Sequence, residues 1–155
     1  MITKTTAIAT LFLAAMSVSG CAQFDRAEAK ANLAGADQSV NFGDYGTAEY
    51  LLAEYVYRDQ ATGALKLHSG LRGRSRKTAV DTVVKLLWET GRDATLLQFA
   101  GDYLSGREKQ ITNCRVAERQ ARYDEAYSCW NGIGEVERAE RVLRTEAAVR
   151  ILSQP

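Results

Sequence analysis

The sequence has almost no proline, few aromatic residues and no large excess of either charge. Its single proline is the terminal residue, aromatic residues make up 8% of the chain, and 20 Lys and Arg face 19 Asp and Glu. These absences disfavour a turn-rich β-sandwich or barrel, and they disfavour a chain that binds nucleic acid over its whole surface. The chain is 46% apolar and rich in alanine, so it can form a hydrophobic core and favours helices.

The sequence also lacks the usual signs of a catalytic or metal site. Its one histidine is His68, and any histidine-based triad or metal site would have to use it. No phosphate-binding glycine loop occurs, and the glycines at 132 and 134 indicate a turn that ends a helix. We therefore expect no enzyme activity, no metal and no cofactor. A hydrolase with paired carboxylates stays open, because spacing in sequence says little about separation in space.

The first 20 residues have the pattern of a secretory leader. Lys4 precedes an apolar run from Ala7 to Val18, which is too short to cross about 30 Å of hydrocarbon as a helix. The run ends in Val18, Ser19, Gly20 and Cys21, and this segment resembles the lipobox of bacterial lipoproteins. An ordinary secretory leader with an incidental cysteine is the alternative.

The lipobox resemblance implies where the protein lies. It makes Cys21 the lipidated N-terminus, carrying fatty acyl chains such as palmitate, after residues 1–20 are removed. Ala22 and Gln23 differ from the aspartate that retains such lipoproteins at the inner membrane, so an outer-membrane lipoprotein facing the periplasm is implied. We expect residues 21–40 to contain the tether, followed by a weak helix that ends at Asn41, Phe42 and Gly43. Residues 41–155 are expected to form a helical domain.

Cys114 and Cys129 are the two remaining cysteines, and the periplasm is oxidising enough to pair them. A helical hairpin that turns near Ala121 and Arg122 would place both thiols at the same height on facing apolar stripes. This geometry favours a structural disulfide. Two buried free thiols, or redox chemistry, are the alternatives.

Apolar residues recur at helical spacing through most of the chain. We expect helices over about 44–57, 80–90, 94–104, 108–121, 123–131 and 135–152. In the last helix the predicted buried stripe consists of Val136, Ala139, Leu143, Ala147 and Ile151. No segment alternates as a β-strand for more than a few residues. The fold class predicted is all-α, either a short array of helical hairpins or an irregular α-bundle.

Two segments resemble the second helix of a tetratricopeptide repeat. The first contains Gly43, Asp44, Tyr45, Ala48 and Leu52. The second runs from Ala121 to Ala126 and continues to Trp130, with alanine in place of the glycine. The segments stand 78 residues apart, which is not a multiple of 34, and the usual inter-repeat proline is absent. The resemblance implies stacked helical hairpins that offer a groove to a polypeptide.

Two groups of side chains are candidates for binding a partner. Residues 59–77 are predicted to form a long, exposed, mobile loop, and its basic residues Arg72, Arg74, Arg76 and Lys77 could hold phosphates, carboxylates or an acidic partner. Tyr50 and Tyr57 lie seven residues apart on one flank of the predicted helix and could line a peptide groove. A solvated loop and tyrosines packed on a neighbouring helix are the alternatives.

These features together predict a membrane-tethered helical module that binds another envelope protein. Similar lipoproteins serve as scaffolds, pilotins or assembly factors for pili, secretion systems and outer-membrane machines. The alternatives are a protein that binds or acts on peptidoglycan, and an inhibitor or exclusion lipoprotein.

Overall fold

The computed structural model describes residues 26–153, and the leader, Cys21 and the last two residues lie outside this range. The described part is mostly helical, as predicted. Its elements, in chain order, are α1 (Arg26–Asn41), α2 (Tyr45–Leu52), β1 (Val56–Arg58), β2 (Leu65–Leu67), α3 (Gly73–Glu89), α4 (Asp93–Tyr103), α5 (Gly106–Arg119), α6 (Tyr123–Gly132) and α7 (Val136–Leu152). The two strands form an antiparallel hairpin in which Val56 faces Leu67.

One turn geometry recurs at four helix junctions. In each turn a residue with positive φ is followed by a residue whose N–H donates to the carbonyl five positions back, which closes the preceding helix. Five positions after the positive-φ residue lies a fully buried small or aliphatic side chain. The turns are centred on Gly43, Gly91, Ala121 and Gly134, and the buried residues are Ala48, Leu96, Ala126 and Ala139.

These turns fold α1–α2, α3–α4, α5–α6 and α6–α7 into hairpins, and contacts between corresponding helix ends relate the odd-numbered helices to one another. Lys85, near the end of α3, pairs with Asp37 near the end of α1 at 3.4 Å. Arg119, at the end of α5, donates to the carbonyl of Trp88 at the end of α3 (2.6 Å). At the other end, Arg107 of α5 pairs with Glu135, which precedes α7. Helices α1, α3, α5 and α7 are therefore parallel.

The buried residues form two clusters. The larger one joins α1 to α4 and the β-hairpin around Leu33, Tyr55, Leu87 and Phe99. The smaller one lies between α5, α6 and α7 and is centred on Trp130, which is 1% exposed. Val116 of α5 belongs to the larger cluster although its helix also contributes to the smaller one, so α5 packs on both sides.

The predicted disulfide between Cys114 and Cys129 is confirmed. The bond joins α5 to α6, with the two Cα atoms 5.3 Å apart. Ala121 occupies the turn between the two helices, with φ of 55°. This is the position predicted for the turn, midway between the two cysteines. The bond therefore holds the hairpin at mid-height.

Helix α1 ends at Asn41, where the weak helix after the tether was expected to end, but it begins at Arg26 and belongs to the core, so the helical domain starts before residue 41. The buried face of α1 consists of Ala29, Leu33, Ala36 and Val40. Small alanine side chains give this face a weak apolar signal in the sequence. They also let the neighbouring helices approach closely, and that is why the helix is buried.

The prediction of a long loop over 59–77 is also wrong. The segment contains strand β2 and the start of α3, and Ala64, Leu67 and Leu71 are buried. The N–H of Leu67 donates to the hydroxyl of Tyr103 (2.9 Å). This contact spans 36 residues, so no local pattern could have revealed it. Arg74, Arg76 and Lys77 consequently lie in the first turns of α3.

Two further details differ from the sequence-based expectation. Helix α2 ends at Leu52, so Tyr57 lies in strand β1 and does not share a helical flank with Tyr50. In α7 the buried residues are Ala139 and Val142, whereas Ile151 of the predicted stripe is 71% exposed. The buried face is set by where α6 ends and packs, and the helix's own apolar pattern does not determine it.

We predict that removing the disulfide destabilises the domain. Because the bond closes a loop of 15 residues, the variant C114A/C129A should lose about 3 kcal/mol of unfolding free energy. Thermal unfolding should show a melting temperature lower by about 10 °C. Reductant should lower the melting temperature of the parent protein but leave the variant unchanged. An unaltered parent protein under reductant would contradict the prediction.

A reciprocal exchange tests the shared turn. Ala121→Gly should stabilise the protein by about 0.5–1 kcal/mol, because glycine adopts positive φ without the Cβ penalty that alanine bears. Gly91→Ala at the equivalent position should destabilise it by about 1 kcal/mol, and no atom lies within 4 Å of the added Cβ to confuse the result. Chemical denaturation measures both effects. Shifts of the same sign in the two variants would show that the turns are not equivalent.

Candidate functional site

A groove of about 780 Å³ is formed by α3, α5, α6 and α7. We call it the basic groove, because four arginines and two glutamates line it. Both tryptophans of the chain also face it. The full lining is Trp88, Ile111, Arg115, Glu118, Arg119, Tyr123, Trp130, Glu135, Arg138, Arg141 and Thr145.

Trp88 forms one wall of the basic groove beneath two arginines of α5. The guanidinium carbons of Arg119 and Arg115 lie 3.7 and 4.1 Å from the centre of its ring, within the range of a cation–π interaction. Arg115 and Arg119 are four residues apart, so one face of α5 presents both. A flat aromatic surface covered by guanidinium groups can receive an anionic or planar guest.

Arg119 has a structural role besides its contact with Trp88. It pairs with Asp93 at the start of α4 and donates to the carbonyl of Trp88 at the end of α3. Burial lowers the pKa of the Arg119 guanidinium from its ordinary value, and the carboxylate of Glu89 opposes this effect. The group stays charged at neutral pH. Arg119 therefore ties three helices together at the rim of the groove.

The two glutamates of the groove are occupied by donors of the protein. Glu118 accepts a hydrogen bond from the indole N–H of Trp130 (3.2 Å). Glu135 pairs with Arg107 and lies 3.9 Å from Arg138, whose guanidinium is also 4.8 Å from the Trp130 ring. Through these contacts the two carboxylates hold the side chains of Trp130 and Arg138 in place at the floor of the groove.

Arg115 and Arg141 differ from the other two arginines of the groove. Within residues 26–153 neither forms an ion pair with a carboxylate, whereas Arg119 pairs with Asp93 and Arg138 with Glu135. Both side chains are exposed at the groove surface. Two guanidinium groups without an acidic partner can each take a carboxylate or phosphate in a forked arrangement.

The residues that the sequence singled out lie elsewhere. Tyr50 is 80% exposed on α2, and the ring of Tyr57 lies 4.8 Å from that of His68 beside the β-hairpin. Arg76 lies over Tyr103 at 5.4 Å, and Lys77 pairs with Asp81 on its own helix at 3.0 Å. The structure brings the basic residues 72–77 together at the start of α3, but none of these candidates lines the basic groove.

Sequence reasoning missed the basic groove because its residues come from four helices that are far apart in the chain. The helical spacing of Arg115 and Arg119 was a usable local signal.

Comparisons with protein-family models, curated proteins and solved structures find no match to this chain. Among residues 26–153, none of the helices is long and apolar enough to cross a bilayer. Over the same range, no three side chains of His, Cys, Asp or Glu come together as metal ligands. A functional assignment must therefore start from the groove residues themselves.

Replacing Arg119 and Arg115 one at a time tests which of them stabilises the fold. Arg119→Ala should cost about 1–2 kcal/mol of unfolding free energy, because it leaves Asp93 and the Trp88 carbonyl without a charged donor. Arg115→Ala should cost less than about 0.5 kcal/mol. Urea unfolding measures both. Equal losses would mean that Arg115 also supports the fold.

Proposed function

We propose that this protein is an outer-membrane lipoprotein, facing the periplasm, that binds a segment of another envelope protein in its basic groove. In this proposal Cys21 carries the lipid, and the helical domain serves as a scaffold, pilotin or assembly factor for an envelope complex. The observation that carries the binding role is the pair Arg115 and Arg141, two exposed guanidinium groups in a concave surface without carboxylate partners within the described residues.

The helical architecture supports a polypeptide guest. The parallel helices α3, α5 and α7 place their side chains along one continuous surface, and a tetratricopeptide-like array of hairpins would use such a surface for extended peptides. Helices α3 and α5 begin in the same way, with a positive-φ glycine at Gly73 and Gly106, 33 residues apart. This spacing is close to the 34 residues of the repeat that the sequence resembles.

The charge of the groove favours binding over hydrolysis. A hydrolase with two carboxylates needs them free and facing the substrate, whereas Glu118 and Glu135 are hydrogen-bonded or ion-paired within the wall. The remaining cations would select an acidic segment, and Trp88 and Tyr123 would contact its apolar side chains. We infer a guest with carboxylates on an extended or helical segment.

Photo-crosslinking in living cells tests this function. A benzophenone amino acid in place of Tyr123 in the groove should capture an envelope protein. The same group in place of Tyr50, which is exposed on the distant helix α2, should not. Capture only from position 50 would contradict the groove and favour the tyrosine surface predicted from sequence. Capture of glycan strands from position 123 would favour the peptidoglycan alternative.

Paired charge reversals give a matched control for this experiment. The variant R115E/R141E should reduce capture from position 123 at least about tenfold, because each lost charged contact weakens binding by about that factor. The variant R58E/R150E changes the net charge equally at two exposed positions that lie outside the groove and outside residues 72–77, and it should leave capture unchanged. Equal loss in both variants would show that only net charge matters.

A further inference from the structure

The start of helix α1 and the start of helix α3 lie at the same end of the domain. The side chain of Asn32 donates to the hydroxyl of Tyr55 (3.1 Å), and the N–H of His68, just before α3, donates to the carbonyl of Tyr55 (3.0 Å). Near the other end, Lys85 of α3 pairs with Asp37 of α1. At about 1.5 Å per residue, Asp37 lies about 17 Å beyond Arg26, and Lys85 lies about 18 Å beyond Gly73.

This end carries the densest positive charge in the described chain. Arg72, Arg74, Arg76 and Lys77 are all exposed there. Of these four residues, only Lys77 forms an ion pair within residues 26–153, and its partner is Asp81. The guanidinium groups of the three arginines have no carboxylate partner in that range. We call these four residues the basic end.

The basic end is unfavourable for the isolated helix. The first turn of α3 contains no acidic residue, and no side chain caps its N–H groups. Cations beside the positive end of a helix dipole repel it, so this arrangement costs stability unless an anion is bound. At the opposite end of the domain, at the turns after α1 and α3, the acidic residues Asp44, Glu89 and Asp93 lie beside Arg92 and Arg119, which pair with Glu49 and Asp93.

The chain also places this end close to the proposed anchor. Cys21 precedes Arg26 by five residues, a fully extended length of at most about 18 Å. A lipid on Cys21 would therefore hold the start of α1 within that distance of the bilayer surface, with the basic end on the same side of the domain. Anionic headgroups attract basic side chains over about a Debye length, which is about 8 Å at physiological salt.

We propose that the basic end lies against the membrane that holds the anchor and binds the phosphates of anionic phospholipid headgroups. This inference rests on the proposed lipidation of Cys21. The contact orients the domain, so that the helices stand away from the bilayer and the basic groove faces the periplasm. Phosphate at the start of α3 would also neutralise its unpaired cations and helix dipole.

The lipidated full-length protein in vesicles tests the orientation. An environment-sensitive fluorescent amino acid is placed at Ser69, beside the basic end, or at Phe42, which is 78% exposed at the opposite end. The vesicles are neutral phosphatidylcholine, or phosphatidylcholine with 30% phosphatidylglycerol, and both contain a lipid with a quencher on its headgroup. In anionic vesicles, quenching at position 69 should exceed that at position 42 at least about twofold and should fall in 0.5 M salt.

Matched variants and flotation separate this inference from the lipid anchor. R72E/R74E should abolish the excess quenching at position 69, while R115E/R141E, with the same change in charge, should retain it. Flotation with both kinds of vesicle but equal quenching at the two positions would overturn the orientation and leave the anchor intact. Flotation with neither kind would overturn both proposals. Flotation only with anionic vesicles would contradict the lipid anchor and would support the phosphate contact.

Discussion

The architecture depends on one constraint, the reversal of the chain at residues that adopt positive φ. Gly43, Gly91, Ala121 and Gly134 each end a helix and let the next one fold back within three or four residues. The buried residue five positions later fixes how closely the new helix packs. The reversals at Ala121 and Gly134 align α7 with α5, and the contacts of Lys85 with Asp37 and of Arg119 with the Trp88 carbonyl align α1, α3 and α5. The basic groove and the basic end are both consequences of that alignment.

The stabilising contacts and the proposed binding contacts use the same residue types in different ways. Arg119 is tied to Asp93 and to the end of α3, so it contributes to the fold. Arg115, one turn earlier on the same helix, stacks on Trp88 and forms no ion pair with a described residue. Because exposed ion pairs contribute little to folding, Arg115 needs no carboxylate of its own chain. Its guanidinium is the contact that we propose for a guest.

The sequence predicted the helices from about residue 80 onward well, because their apolar spacing is regular and a glycine or alanine marks most of the turns. It also predicted the Cys114–Cys129 bond, because a hairpin with a known turning point fixes which residues face each other. It failed where the signal is tertiary. Helix α1 is buried through alanines that look weakly apolar, and Leu67 is held by the Tyr103 hydroxyl from a distant helix. The basic groove was missed because four helices contribute to it.

The two tryptophans of the chain, Trp88 and Trp130, both line the basic groove, so their indole N–H signals in a nuclear magnetic resonance spectrum report on it directly. The most direct measurement is a titration of the full-length protein with a peptide that contains glutamate and leucine, beside the same peptide with lysine in place of glutamate. Our account predicts that the acidic peptide shifts both indole signals in a saturable, salt-sensitive way and that the basic peptide does not. Equal shifts with both peptides, or none with either, would contradict it.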